Sequence, residues 1–370
     1  MSVHVQARRD PIGAPVLELD TPALVVDLDL LERNVERIAR HCQERGVGWR
    51  PQSKGLRVRE VARRCVEAGA LGITCAKLGD AEWFADGGLD HILIANEIVG
   101  ASKLERLLAL RERADVMLSV DSPDGLAAAG AAARAAGTEL GVVLEVDIGL
   151  RRCGVAAGEP AVALGRLVQE TRGLRLEGLM AWEGHTLSVS DPEARAPEIR
   201  AALELLVETA ELCRARGLPI HVVNASGTGT YRVATTVPGI TEVQAGGGVY
   251  GDRTYARWGV PVDFALTVAA TVISRPTPSR VVLDAGQRAM SIATTLPWPK
   301  DLPNVASVAV HVEHCIVELS EPSATPRIGD HLELVAGYHD TTVCLHDELY
   351  AARGGRVEAV WPVAPRSSFR

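Results

Sequence analysis

Lys54 closes the stretch Arg50-Pro51-Gln52-Ser53-Lys54, where an apolar, β-prone segment gives way to a turn. A lysine at the C-terminal end of a barrel strand can be desolvated by the surrounding wall. Its pKa then falls until the amine forms a Schiff base with an aldehyde cofactor. A solvated loop lysine is the plain alternative, and the segments further along weigh against it. Asp147-Ile148-Gly149-Leu150-Arg151-Arg152-Cys153-Gly154 follows the apolar run 141–146, and Trp182-Glu183-Gly184-His185 follows the next. Ser226-Gly227-Thr228-Gly229-Thr230 and Ala245-Gly246-Gly247-Gly248 follow the last two. The two glycine-rich segments have the composition of a phosphate cradle, because glycines let backbone N–H groups approach closely and Ser and Thr add hydroxyl donors. Phosphate sites of TIM-type barrels are frequently built from the loops after the last strands. Gly227-Thr228-Gly229 lacks the third glycine and the downstream acid of a dinucleotide fingerprint, so no such motif competes.

These residues need a frame that brings strand ends together. From residue 22 to about 250, short Val/Ile/Leu runs alternate with amphipathic stretches at the spacing of βα units. Strands are expected at 23–26, 47–51, 71–75, 91–95, 116–120, 141–146, 176–181, 221–224 and 240–244, and helices at 58–68, 79–85, 103–113, 124–136, 160–171 and 192–216. In the first helix, Leu31, Val35, Ile38 and Cys42 recur on one face, Asp29 and Glu32 can form a capping box, and Gly46 ends it. Eight or nine such units with near-continuous apolar strands fit a closed (β/α)8 TIM-type barrel. After residue 260 the helical period disappears. Val-rich runs at 267–274, 280–284, 306–312, 331–335, 341–345 and 357–361 predict a C-terminal all-β domain, with 15–19 as a further candidate strand. The expected domains are 22–260 for the barrel and 1–21 plus 261–370 for the β-domain.

Composition bounds the function. The 370 residues are 47% hydrophobic and 23% charged, with net charge −8. That balance offers no basic surface for nucleic acid or anionic lipid and points to a small-molecule substrate. Seven scattered cysteines without a CxxC pair read as free thiols of a reducing compartment. With no apolar signal core near the N-terminus and no membrane-length apolar run, a cytoplasmic protein is expected.

Taken together, Asp20-Thr21-Pro22-Ala23-Leu24, Arg50-Pro51-Gln52-Ser53-Lys54, Gly72-Ile73-Thr74-Cys75-Ala76-Lys77-Leu78-Gly79, Ile94-Ala95-Asn96-Glu97, Asp147-x-Gly-x-x-Arg152-Cys-Gly-Val, Glu183-Gly184-His185, Ser226-Gly-Thr-Gly-Thr230 and Asp284-Ala285-Gly286 run in order along nearly the whole chain. This set resembles the D-threonine aldolase and D-serine dehydratase family, fold-type III pyridoxal phosphate enzymes with an alanine-racemase-like barrel and a C-terminal β-domain. The resemblance implies a lyase that cleaves or forms D-β-hydroxy-α-amino acids by retro-aldol or aldol chemistry. Dehydratase-like β-elimination, metal-independent racemase-type chemistry at Cα and a non-catalytic cofactor-binding protein remain as alternatives. It implies Lys54 as the Schiff-base lysine, and Arg152 on the phenolic oxygen of pyridoxal 5′-phosphate. Ser226, Gly227, Thr228, Gly246 and Gly247 would cradle the phosphate, with Trp182 and His185 beside the ring. His185 is also a candidate base for the substrate hydroxyl. A homodimer, with each β-domain completing the partner's site, is the family's habit.

The sequence departs from that family in two places. Around the lysine, members commonly read His-Ala-Lys-Thr-His, where this chain has Gln52-Ser53-Lys54-Gly55-Leu56. Members also bind a divalent cation (Mn, Mg or Zn are the candidates) through a His-x-Asp or His-x-Cys pair ahead of a Leu-His-Asp segment. Counted back from Leu345-His346-Asp347, those positions hold Tyr338 and Asp340, so the acid is kept and the histidine is not. His339 is adjacent and is the substitute ligand, with Asp340, if the loop shifts by one residue. Tyr338 offers a rival arrangement, because related racemases use a β-domain tyrosine from the partner subunit as acid/base.

Overall fold

The computed structural model describes residues 10–370. Its first strand, β1 (Ala23–Asp27), corrects the sequence reading. Expected as a barrel strand, it instead pairs antiparallel with Leu266–Thr277 and parallel with Glu348–Arg353 in the C-terminal sheet. The reason is its two buried faces: Leu24 and Val26 join the main core, while Ala23 and Val25 pack with Val16, Leu19 and Val357 in a second cluster. A strand apolar on both sides looks the same in either domain.

Helix α1 (Leu28–Arg45) buries Leu31, Val35, Ile38 and Cys42 and ends at Gly46, whose φ of 64° suits glycine. Its cap is Asp27, which accepts from Asp29 N at 3.0 Å and Leu30 N at 3.1 Å. The expected capping box does not form, since Asp29 and Glu32 both pair with Arg353.

The barrel strands are β2 (Gly48–Trp49), β3 (Ile73–Cys75), β4 (Ile92–Ile94), β5 (Val116–Val120), β6 (Leu140–Asp147), β8 (Leu174–Met180), β9 (Val222–Ala225) and β10 (Glu242–Val243). A two-residue strand, β7 (Val155–Ala156), lies beside β6. All eight are parallel in the order β2-β10-β9-β8-β6-β5-β4-β3, and a parallel bridge from Gln52 to Thr74 brings the two ends together. The intervening helices are α2 (Arg59–Glu67), α3 (Leu78–Asp86), α4 (Ala101–Arg111), α5 (Pro123–Ala135), α6 (Glu159–Glu170) and α7 (Pro192–Ala215), followed by the short α8 (Tyr231–Ala234) and α9 (Arg253–Arg257).

The second sheet contains β11 (Leu266–Thr277), β12 (Arg280–Leu283), β13 (Trp298–Pro299), β14 (Val305–Val310), β15 (Cys315–Leu319), β16 (His331–Val335), β17 (Glu348–Arg353) and β18 (Arg356–Pro362). Its order is β14-β15-β12-β11-β1-β17-β18, with β16 on β11 and β13 on β16. The stretch expected as a strand at 341–345 is two 3-10 turns, His339–Thr341 and Val343–Leu345. The segment 15–19 makes one bridge, Pro15 to Arg356, and then a 3-10 turn at Val16–Glu18. The fold is thus a parallel α/β barrel with an all-β domain, and the turns after β16 carry that domain's residues to the barrel mouth.

Candidate active site

Lys54 projects from the turn after β2, its backbone N–H donating to Gln52 Oε1 at 3.3 Å. Its side chain is 50% exposed rather than enclosed by the wall, and Nζ stands 3.5 Å from Asp340 Oδ2. Gln52, at the position of the missing histidine, heads a polar chain into the barrel. It donates to Gln244 Oε1 (3.3 Å), Gln244 to Asn224 Oδ1 (2.5 Å), and Asn224 to Glu242 Oε2 (3.1 Å), which is clamped by Arg50. Buried polar groups arranged this way satisfy one another and fix the Lys54 turn.

Gly55 matters for what docks above it. A Cβ there would overlap Asp340 Oδ1 and lie 2.8 Å from His339 Nε2. Only glycine leaves room for the Tyr338-His339-Asp340 turn. Tyr338 Oη donates to Asp340 Oδ2 at 2.9 Å. His339 is fully buried; Asp252 Oδ2 lies 2.7 Å from its Nδ1 and accepts its backbone N–H at 2.9 Å. Its Nε2 is 3.2 Å from Asp340 Oδ1. Burial opposes a charge on His339, but Asp252 and then Asp340 outweigh it and raise the pKa. Burial, reinforced by Asp340, pushes the Tyr338 phenol well above its ordinary value, so it remains a proton donor at neutral pH.

The mouth of the barrel holds a cavity of about 230 Å³ that includes Lys54, Glu97, Glu145, Arg152, Trp182 and Gly227 in its lining. A smaller one, of about 60 Å³, continues past Thr228, Gly246, Gly247 and Tyr338. Gly227 packs under the Trp182 indole, where a Cβ would stand 2.9 Å from the ring, and Gly246 abuts the Gln52 carbonyl. Ser226 adopts φ 65° and its hydroxyl donates to the fully buried Glu183. That bond commits the Ser226 side chain, so the cradle relies on backbone N–H groups and on Thr228 Oγ1, which accepts from Gly248 N at 2.9 Å. Burial raises the Glu183 pKa against the bonds from Ser226 and Thr230. Such a lining of glycines and backbone donors suits a phosphate group.

Arg152 reaches Glu145 Oε1 at 3.3 Å. Burial, then the neighbouring Glu97, raises Glu145 to about 7 despite Arg152. Sequence reading missed Glu97, Glu145 and Asp252 as site residues. One signal was available: Glu145 is an acid in the interior of an otherwise apolar strand run, Leu140–Val146.

His185 lies on the 3-10 turn Gly184–Ser188 beside Gly149 and lines neither of these two cavities, and its Nδ1 is buried without a hydrogen-bond partner.

The expected cation site is not supported by its donors. His339 Nε2 and Asp340 Oδ1 are close enough for one ion to bridge, and Asp252 orients the imidazole as an outer carboxylate would. A divalent cation, however, needs about four to six donors. His339 has no exposed surface, and Tyr338 occupies the other Asp340 oxygen. Two donors fall short of the number a cation needs. Among the described residues, the one group of three close ligand types is Glu97, Glu145 and Cys153, and the Arg152 guanidinium stands against it.

Comparison with known proteins agrees with this frame. Residues 26–254 match the alanine racemase N-terminal domain, and residues 265–352 a serine dehydratase domain. The chain is 33% identical to a D-threonine aldolase from Arthrobacter sp over 97% of its own length and 96% of that protein. This chain belongs to the D-threonine aldolase and D-serine dehydratase family. It is also 32% identical to a 3-hydroxy-D-aspartate aldolase from Paracoccus denitrificans (strain Pd 1222), covering 96% of this chain and 94% of that one. A crystal structure of D-threonine aldolase from Filomicrobium marinum superposes with a TM-score of 0.93 at 35% identity, covering 97% and 99% of the two chains. Membership in the D-threonine aldolase family implies pyridoxal 5′-phosphate as the cofactor, and the glycine-lined cavity beside Lys54 has the chemistry of a phosphate site.

Proposed function

We propose that this chain is a pyridoxal phosphate-dependent carbon–carbon lyase that cleaves D-β-hydroxy-α-amino acids to an amino acid and an aldehyde. The observation that carries the reading is the convergence of Lys54 and the Tyr338–Asp340 pair at one cavity beside a glycine-lined cradle. Pyridoxal phosphate, when bound, supplies the electron sink for the bond that breaks at Cα. Lys54 Nζ would be its covalent anchor. The backbone of Ser226, Gly227, Thr228, Gly246 and Gly247 would hold the phosphate, with Trp182 beside the ring and Arg152 toward the phenolic oxygen.

The remaining chemistry is a proton removed from the β-hydroxyl as Cα–Cβ breaks and a carbonyl forms. Asp340 takes the part expected of His185: its carboxylate faces Lys54 and accepts that proton. Tyr338, held protonated, donates to Asp340 and steadies its charge. His339, between Asp252 and Asp340, fixes the carboxylate's rotamer. No step is routed through a metal ion.

We read the assembly as a cytoplasmic homodimer acting on a small-molecule amino acid, following the family resemblance. Tyr338 and Asp340 meet Lys54 within one chain, so this acid/base pair does not depend on a partner. No helix among the described residues is long and apolar enough to cross a membrane. The test is aldehyde release from D-threonine and D-phenylserine by the cofactor-loaded enzyme. Release of the matching aldehyde is expected; keto acid without aldehyde would select β-elimination instead.

A further inference from the structure

We propose that Glu183, which lines neither cavity, is a positioning residue for the cofactor's phosphate: it holds Ser226, and so sets the turn whose backbone would bind that group. Its measurable effect is the preference for pyridoxal 5′-phosphate over pyridoxal. This rests on the cofactor that the family implies and not on the bond that is cleaved.

Trp182 and Glu183, just after β8, contact consecutive residues of the loop that follows β9. Gly227 lies under the Trp182 indole, and Ser226 Oγ donates to Glu183 Oε1. At that step the chain bends sharply, for Ser226 has φ 65°, a left-handed conformation that residues with a Cβ rarely take. Such a conformation persists only where the surrounding contacts over-determine it. Here Glu183 holds the Ser226 hydroxyl, while the Ser226 carbonyl accepts from Gln244 N at 3.2 Å. The Gly227 carbonyl accepts from Thr230 N at 3.1 Å and Tyr231 N at 2.9 Å. Glu183 is itself anchored, its carbonyl accepting from Thr186 N at 3.1 Å and from Thr186 Oγ1 at 2.8 Å.

An acid bonded to an anion cradle needs a reason, because like charges oppose binding. Glu183 is fully buried, its Oε2 has no hydrogen-bond partner, and among the described residues no lysine, arginine or histidine pairs with it. A carboxylate so placed would be a buried charge without compensation. The side chain is therefore the neutral acid, in keeping with the upward push of burial on its pKa. It shapes the turn as a hydrogen-bond acceptor and leaves the phosphate unopposed. Glutamine has that acceptor and that length; leucine has neither acceptor nor donor.

The test titrates the full chain, freed of cofactor, with pyridoxal 5′-phosphate and with pyridoxal, following the cofactor absorbance. Wild type should prefer the phosphorylated form by about a hundredfold or more; no preference overturns the proposal. Glu183→Leu should reduce that preference by about tenfold, and Glu183→Gln should keep it within about threefold. A leucine variant that weakens both ligands equally has lost only general packing, and that result overturns the proposal. So does a glutamine variant that loses as much as leucine. Ser226→Ala breaks the same bond from the other side and should lower the preference as Glu183→Leu does, a check that stands if the leucine variant does not fold; an unmoved preference overturns the role. The predicted binding pattern in a protein that cleaves no β-hydroxy amino acid supports this inference and counts against the lyase reading alone.

Discussion

Asp340 Oδ2 stands 3.5 Å from Lys54 Nζ, joining a residue of the C-terminal domain to the amine at the mouth of the barrel. Tyr338 donates to the same oxygen at 2.9 Å, so the two domains share one small proton network.

Lys54→Ala is expected to abolish turnover, with a loss on the order of a thousandfold or more, because no other group can anchor the cofactor covalently. Borohydride reduction of the wild-type holoenzyme followed by peptide mapping should place the cofactor on residue 54. Label found elsewhere would refute the assignment.

Asp340→Asn should lower kcat by about a hundredfold or more, the range for loss of a general base. Tyr338→Phe should cost less, about tenfold, because the carboxylate is still present. Treating the holoenzyme with a chelator should leave aldehyde release within about twofold, since His339 and Asp340 offer only two donors, fewer than a divalent cation takes. Loss on chelation with recovery on added Mn²⁺ would refute this arrangement.

Gly55→Ala should reduce kcat about tenfold or more without unfolding the barrel, because the new methyl meets Asp340 Oδ1 and His339 Nε2 directly. Circular dichroism and activity measured on the same sample separate the two effects. Unchanged activity would mean that the Tyr338-His339-Asp340 turn has space to spare.

The buried His339 should contribute to stability in a pH-dependent way. Its folded pKa is raised by Asp252 and Asp340 against burial, so its contribution is fully present below the unfolded value of about 6.5 and fades as pH rises through the folded value. Breaking such a buried pair costs about 3–5 kcal/mol. The stability gap between wild type and His339→Gln, read by urea unfolding, should therefore shrink from pH 6 toward pH 9. A gap that widened over that range would reverse the sign.

Glu145 provides a second titration. Its pKa is raised to about 7 by burial and by Glu97, so protonation is favoured in the folded state and this group's contribution falls as pH rises from its unfolded value toward 7. In the folded protein the Arg152–Glu145 ion pair forms as the pH passes about 7. The log kcat/KM profile should show an inflection near pH 7 that Glu145→Gln removes.

Much of the frame could be read from the chain because barrel strands buried on both sides appear as short apolar runs between amphipathic helices. The same property misled at β1, where two buried faces are required in the C-terminal sheet too. Residues 341–345 have the Val/Thr composition of a strand but fold as turns, because Thr342 Oγ1 bonds back to the Tyr338 carbonyl and Asp252 takes the His339 backbone N–H. At the site, Lys54 and the glycine segments announced themselves through residue type. Spacing could not reveal that Gly55 makes way for Asp340, or that His185 sits beside Gly149, because both are set by contacts between distant segments.

The placement of β1 has a consequence for the order of events at the ribosome. Ala23 pairs with Ala269, and Val25 with Tyr350, so β1 waits for those distant segments to be made before its ladder can close. Tyr338 and Asp340 arrive in the same late stretch. A nascent chain can therefore assemble much of the cylinder while still lacking the groups that handle the proton, and chemistry waits for the second domain to be made and docked.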